Sequence, residues 1–205
     1  MTLVKICGIM YEDDLDIASN ADYIGLVVTT GTRRSLEPSR ARQLRELSSI
    51  PVVMVTAAAT VEGVLRLAEI VRPDIVQSHR LGPVELEKIR QQGFKVWAAM
   101  PVGAPGDIED IMMMSGSAHA IVLDTPSPHG GGSGTVHDWK RSAAIREMVS
   151  IPIVLAGGLN PDNVTRAIHT VRPDVVDVST GVETNGRKDA FKIEGFIRET
   201  KRCRT

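Results

Sequence analysis

Hydrophobic positions fall into short β-branched runs that alternate with helically spaced segments along the whole chain. The runs predict strands over 3–7, 22–28, 51–56, 74–78, 95–99, 118–124, 151–156 and 174–179. Most are continuously apolar rather than alternating, as expected of parallel strands covered on both faces. Helices are predicted between them, over 12–19, 39–47, 61–71, 84–91, 108–114, 139–149, 162–170 and 190–200. Within the third, Val61, Val64, Leu65, Leu67, Ala68 and Val71 follow the i, i+3, i+4, i+7 spacing of a buried stripe. The fifth lies between a Gly- and Pro-rich stretch at 101–106 and Ser115-Gly116-Ser117. It is expected to be short or degenerate, little more than a turn.

Eight βα units without a linker predict an α/β fold, a compact single-domain (β/α)8 TIM barrel over 1–205. An internal echo supports closure. Ser49-Ile50-Pro51-Val52-Val53 returns as Ser150-Ile151-Pro152-Ile153-Val154, and Val71-Arg72-Pro73-Asp74 returns as Val171-Arg172-Pro173-Asp174. Ala21, Ile24 and Leu26 return more weakly as Ala118, Ile121 and Leu123. Each match aligns strand n with strand n+4, so the chain reads as two similar half-barrels. An open doubly wound sheet explains the alternation but not this register.

Composition narrows the function classes. Aromatic residues make up only 3%, so Val, Ile, Leu, Ala and Met must build the core. The net charge of -1 gives no global reason to expect a nucleic-acid or membrane partner. No apolar run approaches a membrane span, and the first residues read as a strand rather than a signal peptide. Cys7 and Cys203 lie at opposite ends of the chain. They are expected as free thiols of a cytoplasmic protein, although the two are able in principle to pair. His119, His129, His137 and His169 lack the spacing of a zinc site, so no metal is expected.

In such a barrel, chemistry sits at the C-terminal ends of the strands. Polar or reactive residues there are Cys7 on strand 1, Gln77-Ser78-His79 after strand 4, Asp124 on strand 6, and Asp177 and Ser179-Thr180-Gly181 on strand 8. Gly130-Gly131-Gly132-Ser133-Gly134 follows strand 6, and Gly157-Gly158 closes strand 7. Glycine lets backbone N–H groups approach an anion, and the loops after strands 7 and 8 are the usual phosphate position. Each signal has a plainer reading. Glycine pairs make tight turns, a strand-end Cys is often a small buried hydrophobe, and a loop Asp often caps backbone N–H groups.

The residues taken together are more specific. Lys5-Ile6-Cys7-Gly8 resembles the opening motif of the phosphoribosylanthranilate isomerases. Asp124, Gly131-Gly132-Ser133-Gly134 and Asp138-Trp139 resemble that family's strand 6 and loop. Leu155-Ala156-Gly157-Gly158-Leu159 with Pro161 and Asn163-Val164 matches strand 7. Asp177-Val178-Ser179-Thr180-Gly181-Val182-Glu183, followed by Gly186 and Lys188-Asp189, matches strand 8.

This resemblance implies an isomerase of tryptophan biosynthesis, acting by Amadori rearrangement on N-(5-phosphoribosyl)anthranilate without a cofactor. It implies Cys7 as general base and Asp124 as general acid, with Lys5, on the same face of strand 1, able to assist the thiol. Arg34 aligns with the arginine that meets the anthranilate carboxylate, although adjacent Arg33 leaves the register open. His79 matches the family histidine after strand 4, with Ser78 and Arg80 in place of the usual Leu and Gly. Asp177 is expected near the anthranilate nitrogen, or in an internal ion pair with Lys5. Phosphate is expected on the N–H groups of Gly157-Gly158 and Ser179-Thr180-Gly181, with Gly132-Ser133-Gly134 closing over it. A helical turn beginning near Val182 is expected to aim its positive end at the anion. Loop 2, Val28-Thr29-Thr30-Gly31, lacks the family's usual aromatic. The expected partner is the phosphorylated sugar alone, and the expected state a monomer or homodimer.

Two other readings stand beside this one. The related sugar isomerase of histidine biosynthesis, or a barrel serving both substrates, performs similar chemistry. It uses aspartate where Cys7 stands, and needs a second phosphate loop that the first half does not clearly offer. A phosphate-binding barrel without chemistry is the other, and retention of both Cys7 and Asp124 argues against it.

Overall fold

The computed structural model describes residues 1–29, 31–126 and 136–203. Eight strands alternate with helices: β1 (Leu3–Cys7), β2 (Tyr23–Val28), β3 (Val52–Thr56), β4 (Ile75–Ser78), β5 (Lys95–Pro101), β6 (Ala120–Asp124), β7 (Ile153–Leu155) and β8 (Val175–Val178). They pair in chain order, all parallel, and β8 returns to β1 to close the barrel. The helices are α1 (Glu12–Ile17), α2 (Pro38–Leu47), α3 (Val61–Val71), α4 (Pro83–Gln91), α5 (Asp107–Ser115), α6 (Trp139–Met148), α7 (Val164–Val171) and α8 (Ala190–Arg202). The predicted fold class and strand order hold.

Period-two alternation divides each strand between two cores. Outward residues such as Val4, Ile6, Ile24, Leu26, Val76 and Ile121 join the helix faces in one large cluster. Inward residues, among them Val53, Val55, Ile75, Trp97, Val122, Val154 and Val175, fill the barrel. Tyr23 and Trp97 meet edge-on inside it, with ring centroids 5.3 Å apart. On α3 the stripe buries Val64, Ala68 and Val71, while Val61, Leu65 and Leu67 stay partly exposed.

The fifth helix departs from expectation. It runs nine residues, as long as α4, and is not degenerate. Asp107, buried at its first turn, explains why. Its carboxylate accepts the Gly103 N–H at 2.6 Å and forks with the Arg141 guanidinium from α6. The Gly- and Pro-rich stretch before α5 is thereby tied down by a contact across the fold. The turn expected to begin near Val182 is instead a 3₁₀ turn over Thr180–Val182, ending there. A short antiparallel hairpin follows, β9 (Glu183–Thr184) and β10 (Arg187–Lys188).

The half-barrel echo has a structural counterpart at the N-terminal ends of the strands. Asp74 and Asp174 each precede an even-numbered strand and accept a backbone N–H from the preceding strand, Val52 and Ile153, both at 2.8 Å. Asp22 does the same for Val4 at 2.8 Å, and His119 Nδ1 for Val96 at 3.0 Å.

Candidate active site

A cavity of about 320 Å³ opens at the C-terminal mouth of the barrel. Its lining includes Cys7, Arg34, Gln77, His79, Asp124, Gly157, Gly158, Asp177, Ser179 and Thr180, with Val27, Val55, Ala57, Ala156 and Leu159 as apolar walls. The strands explain the convergence. Lys5 and Cys7 share the inward face of β1, Asp177 is inward on β8, Gln77 on β4 and Asp124 on β6. β1 and β6 stand three strands apart around the closed wall, so Cys7 and Asp124 enter one cavity from separated positions.

The floor beneath Cys7 is an ion pair. Lys5 and Asp177 are register partners on β1 and β8, and Lys5 Nζ donates to Asp177 Oδ2 at 2.6 Å. Lys5 is 0% exposed. Burial works to lower its pKa, but the charges of Asp177 and the Cys7 sulfur outweigh that and hold it above the ordinary value. Lys5 is therefore a fixed ammonium beside Cys7. Burial pushes the Cys7 thiol up, and Lys5, then Lys188, work against the rise. Thiolate is the minor form in the free protein. Asp177 fills the ion-pair role foreseen as one of its two readings, yet it also borders the cavity. Its buried Oδ1 has no hydrogen-bond partner among the described residues.

Asp124 shows the opposite use of burial. Removal from water raises its carboxyl to about 6, while the Thr125 N–H, donating to Oδ1 at 2.8 Å, holds the rise back. A carboxyl with that value carries a proton readily near neutral pH. His79 is neutral: burial, followed by the charge of Lys5, brings it down to about 4. The Gln77 amide nitrogen lies 3.1 Å from His79 Nε2.

The two arginines separate clearly. Arg34 lines the cavity and its side chain is 14% exposed, whereas Arg33 is 56% exposed and does not line it. Both are held by Glu183. Arg33 Nη2 donates to Oε2 at 2.6 Å and Arg34 Nε to Oε1 at 2.9 Å.

Among the glycines foreseen at the phosphate, Gly157 and Gly158 line the cavity with φ of 80° and 69°. Gly181 does not line it. A Cβ there would run into the Leu159 carbonyl, so its small size serves the packing of the turn. Gly132, Ser133, Gly134 and Thr30 lie outside the described residues.

Two residues beside the site went unassigned in the sequence reading, Glu183 and Lys188. The signal was present. Asn185-Gly186 is a two-residue hairpin sequence whose central residues favour positive φ, and here φ is 51° and 78°. Such a turn makes Glu183 and Lys188 register partners. Lys188 Nζ donates to Glu183 Oε1 at 3.1 Å and to the Ser179 carbonyl at 3.0 Å.

A barrel with a buried thiol and a carboxyl raised to about 6 facing one cavity defines an acid/base enzyme of the (β/α)8 class. Comparison with known proteins makes the class particular. The family model described as N-(5'phosphoribosyl)anthranilate (PRA) isomerase matches residues 4–199. The N-(5'-phosphoribosyl)anthranilate isomerase of Methanothrix thermoacetophila is 41% identical, over 99% of this chain and 100% of its own. The phosphoribosyl anthranilate isomerase structure from Thermotoga maritima superposes with a TM-score of 0.87 at 37% identity, covering 98% of this chain and 99% of that one. A phosphoribosyl anthranilate isomerase in complex with reduced 1-(o-carboxyphenylamino)-1-deoxyribulose 5-phosphate gives 0.84 at 34%, with coverage of 98% and 99%. The chain belongs to the phosphoribosylanthranilate isomerase family and is an isomerase of tryptophan biosynthesis.

Proposed function

We propose that this cavity binds N-(5'-phosphoribosyl)anthranilate and rearranges it to the 1-deoxyribulose 5-phosphate, with Asp124 as general acid and Cys7 as general base. Asp124 gives its proton to the furanose ring oxygen as the ring opens to an iminium. Cys7, as thiolate, takes the C2′ proton to leave an enolamine, which tautomerises to the ketone. The observation that carries this reading is the pairing of a carboxyl raised to about 6 with a thiol beside two ammonium groups, both lining one cavity. The thiolate forms against burial, and the Lys5 ammonium beneath it is the group that stabilises it.

Arg34 takes the anthranilate carboxylate, and Asp177 and His79 face the linking nitrogen and the ring. Backbone N–H groups of Gly157-Gly158 and Ser179-Thr180-Gly181 take the phosphate; the expected contribution of Gly132-Ser133-Gly134 falls outside the described residues. Cavity position supports the roles of Arg34, His79, Asp177, Gly157, Gly158, Ser179 and Thr180, and local positive charge favours an anion. Arg33, Arg34 and Lys188 surround the single carboxylate of Glu183, and the Lys5–Asp177 pair is neutral, so the site suits an anion in a chain of net charge -1. The chain acts as one catalytic domain over 1–205, as a monomer or homodimer in the cytoplasm. Among the described residues no helix is long and apolar enough to cross a membrane.

The test is turnover against binding. Cys7→Ser should bind the reduced product analogue almost as the parent does and lose most turnover, because a serine hydroxyl ionises far less readily than a thiol and, un-ionised, is a much weaker base than a thiolate. Asp124→Asn should likewise keep binding and lose kcat. Parent-level turnover in either variant removes that residue from the chemistry.

A further inference from the structure

We propose that Glu183, which touches neither reacting group, is the positioning residue that gives the cavity its preference for a carboxylated substrate. This rests on the reading of Arg34 as the carboxylate anchor. Glu183 is 8% exposed and its two oxygens hold three cations from two places in the chain: the adjacent Arg33 and Arg34, and Lys188. Burial works to raise its pKa, but Lys188 and Arg34 together bring it below the ordinary value, so the carboxylate stays ionised.

The geometry at Arg34 is the central point. Glu183 accepts from Nε, and no described residue takes a hydrogen bond from either Nη of Arg34. A guanidinium gripped at Nε has its torsions fixed and keeps its Nη donors for a ligand carboxylate. An ungripped arginine must give up side-chain entropy when it binds, which weakens binding. Gly8 completes the seat. It has φ of 77°, and a Cβ there would lie 2.5 Å from Arg34 Cδ, so the arginine stem lies directly on its backbone. Arg33 braces the other side: its Nη1 donates to the Gly186 carbonyl at 2.7 Å while Nη2 holds Glu183. The hairpin of β9 and β10 thus sets the carboxylate, and the carboxylate sets the arginine.

The same oxygen that holds Arg34 also holds Lys188, which is 2% exposed and close enough to Cys7 for their charges to interact. Loss of the Glu183 charge therefore has a second expected effect. Lys188 loses its counter-ion, and the thiol experiences a changed cation.

The experiment is a double-mutant cycle between Glu183→Gln and Arg34→Ala. It reads Kd for the reduced product, 1-(2-carboxyphenylamino)-1-deoxyribulose 5-phosphate in its reduced form, and for the same compound built on aniline. Glu183→Gln keeps shape and an acceptor while removing the charge. It should weaken the carboxylated ligand about tenfold, the scale of one charge-assisted hydrogen bond. The aniline compound should change by less than about twofold, and the mutation should add little in the Arg34→Ala background. The pH dependence of kcat should also shift at its alkaline, thiol limb. Glu183→Asp, which keeps the charge on a shorter arm, should fall between parent and Gln in Kd.

The outcomes separate the two levels. If Arg34→Ala itself weakens both ligands equally, Arg34 is not the carboxylate anchor, and the role of Glu183 falls with it. If Arg34→Ala discriminates but Glu183→Gln weakens both ligands alike, or its effect adds fully to that of Arg34→Ala, then Glu183 only supports the fold and the proposal is overturned.

Discussion

Gly25 has no side chain where Cys7 needs space. The two are register partners on β1 and β2, and a Cβ on Gly25 would stand 2.7 Å from Cys7 Sγ and 3.0 Å from its Cα. Gly25→Ala must therefore push the thiol or its strand aside. Misplacement by a fraction of an ångström is costly in catalysis, so kcat should fall by about 100-fold while KM changes little. A parent-like kcat in a folded Gly25→Ala variant shows that Sγ placement is not limiting. The two proton carriers make a second expectation. The proposed mechanism needs Asp124 protonated and Cys7 deprotonated, the reverse of their order of ionisation. The pH profile of kcat/KM should then be a plateau from about 6 to the raised thiol value, falling on both sides. In Asp124→Asn the residual rate should climb steadily with pH up to the thiol limb, and a surviving break near 6 would assign that ionisation elsewhere. Cys7 and Asp124 were legible in the sequence because a reactive residue ending an apolar strand has one place to go in a barrel. Glu183 was not, because two of its partners, the adjacent Arg33 and Arg34, meet it from the far end of the chain, and only Lys188 is its neighbour in the hairpin.

The clasp that joins strands in pairs is the lesson at the scale of elements. An Asp one residue before β2, β4 and β8 accepts an N–H from the preceding strand, and His119 does so before β6. The two members of the half-barrel repeat are also braced alike. Arg45 Nε and Arg146 Nε reach the carbonyls of Arg72 and Arg172, both left-handed at φ of 53°. Asp74→Ala and Asp174→Ala each leave a strand N–H without its acceptor, and should each cost about 1 kcal/mol in denaturant unfolding. The two sites lie in opposite half-barrels and share no partner, so the double variant should show the sum to within about 0.5 kcal/mol. Asn at either position retains an acceptor and should be milder. A double variant no worse than either single one would mean that the clasps are not independent. The repeat, and with it barrel closure, was readable because these Asp residues sit at fixed places beside Pro and β-branched runs. The length of α5 was not readable. Its flanks are rich in Gly and Pro, and the contact that orders them joins Asp107 to Arg141 on α6, which local pattern does not contain.

At the scale of the whole molecule the buried histidines and the buried acid oppose one another. His79 and His137 are both brought down to about 4, chiefly by burial. His119 is lowered as well, by burial and then by Arg90 and Lys95. In the unfolded chain a histidine takes its proton near about 6.5. Below that pH the unfolded state binds protons that the folded state refuses, so acid favours unfolding until the folded values near 4 are reached. Asp124 acts in the other direction. Its folded value of about 6 lies above that of a free carboxyl, so between about 6 and about 3.9 the folded state binds the extra proton and gains stability as pH falls. Three histidines against one carboxyl leave a net loss. The unfolding free energy should drop as pH goes from 7 to 4, and the drop should begin above 6, where only the histidines act. Urea unfolding at pH 7, 6, 5 and 4 reads this directly, and a free energy that is flat or rises toward pH 4 would contradict it. Asp124→Asn isolates the opposing term. At pH 7 the parent holds a buried carboxylate that the amide replaces without charge, so the variant should be the more stable protein there, by roughly 2 kcal/mol or more for a displacement of this size. As pH falls the parent carboxyl takes its proton and comes to resemble the amide, so the gap should close by pH 4. On the proposed mechanism the charge that costs stability at neutral pH is the one whose proton the isomerisation needs, and a variant that is both more stable at pH 7 and slower would place that cost at the site of catalysis.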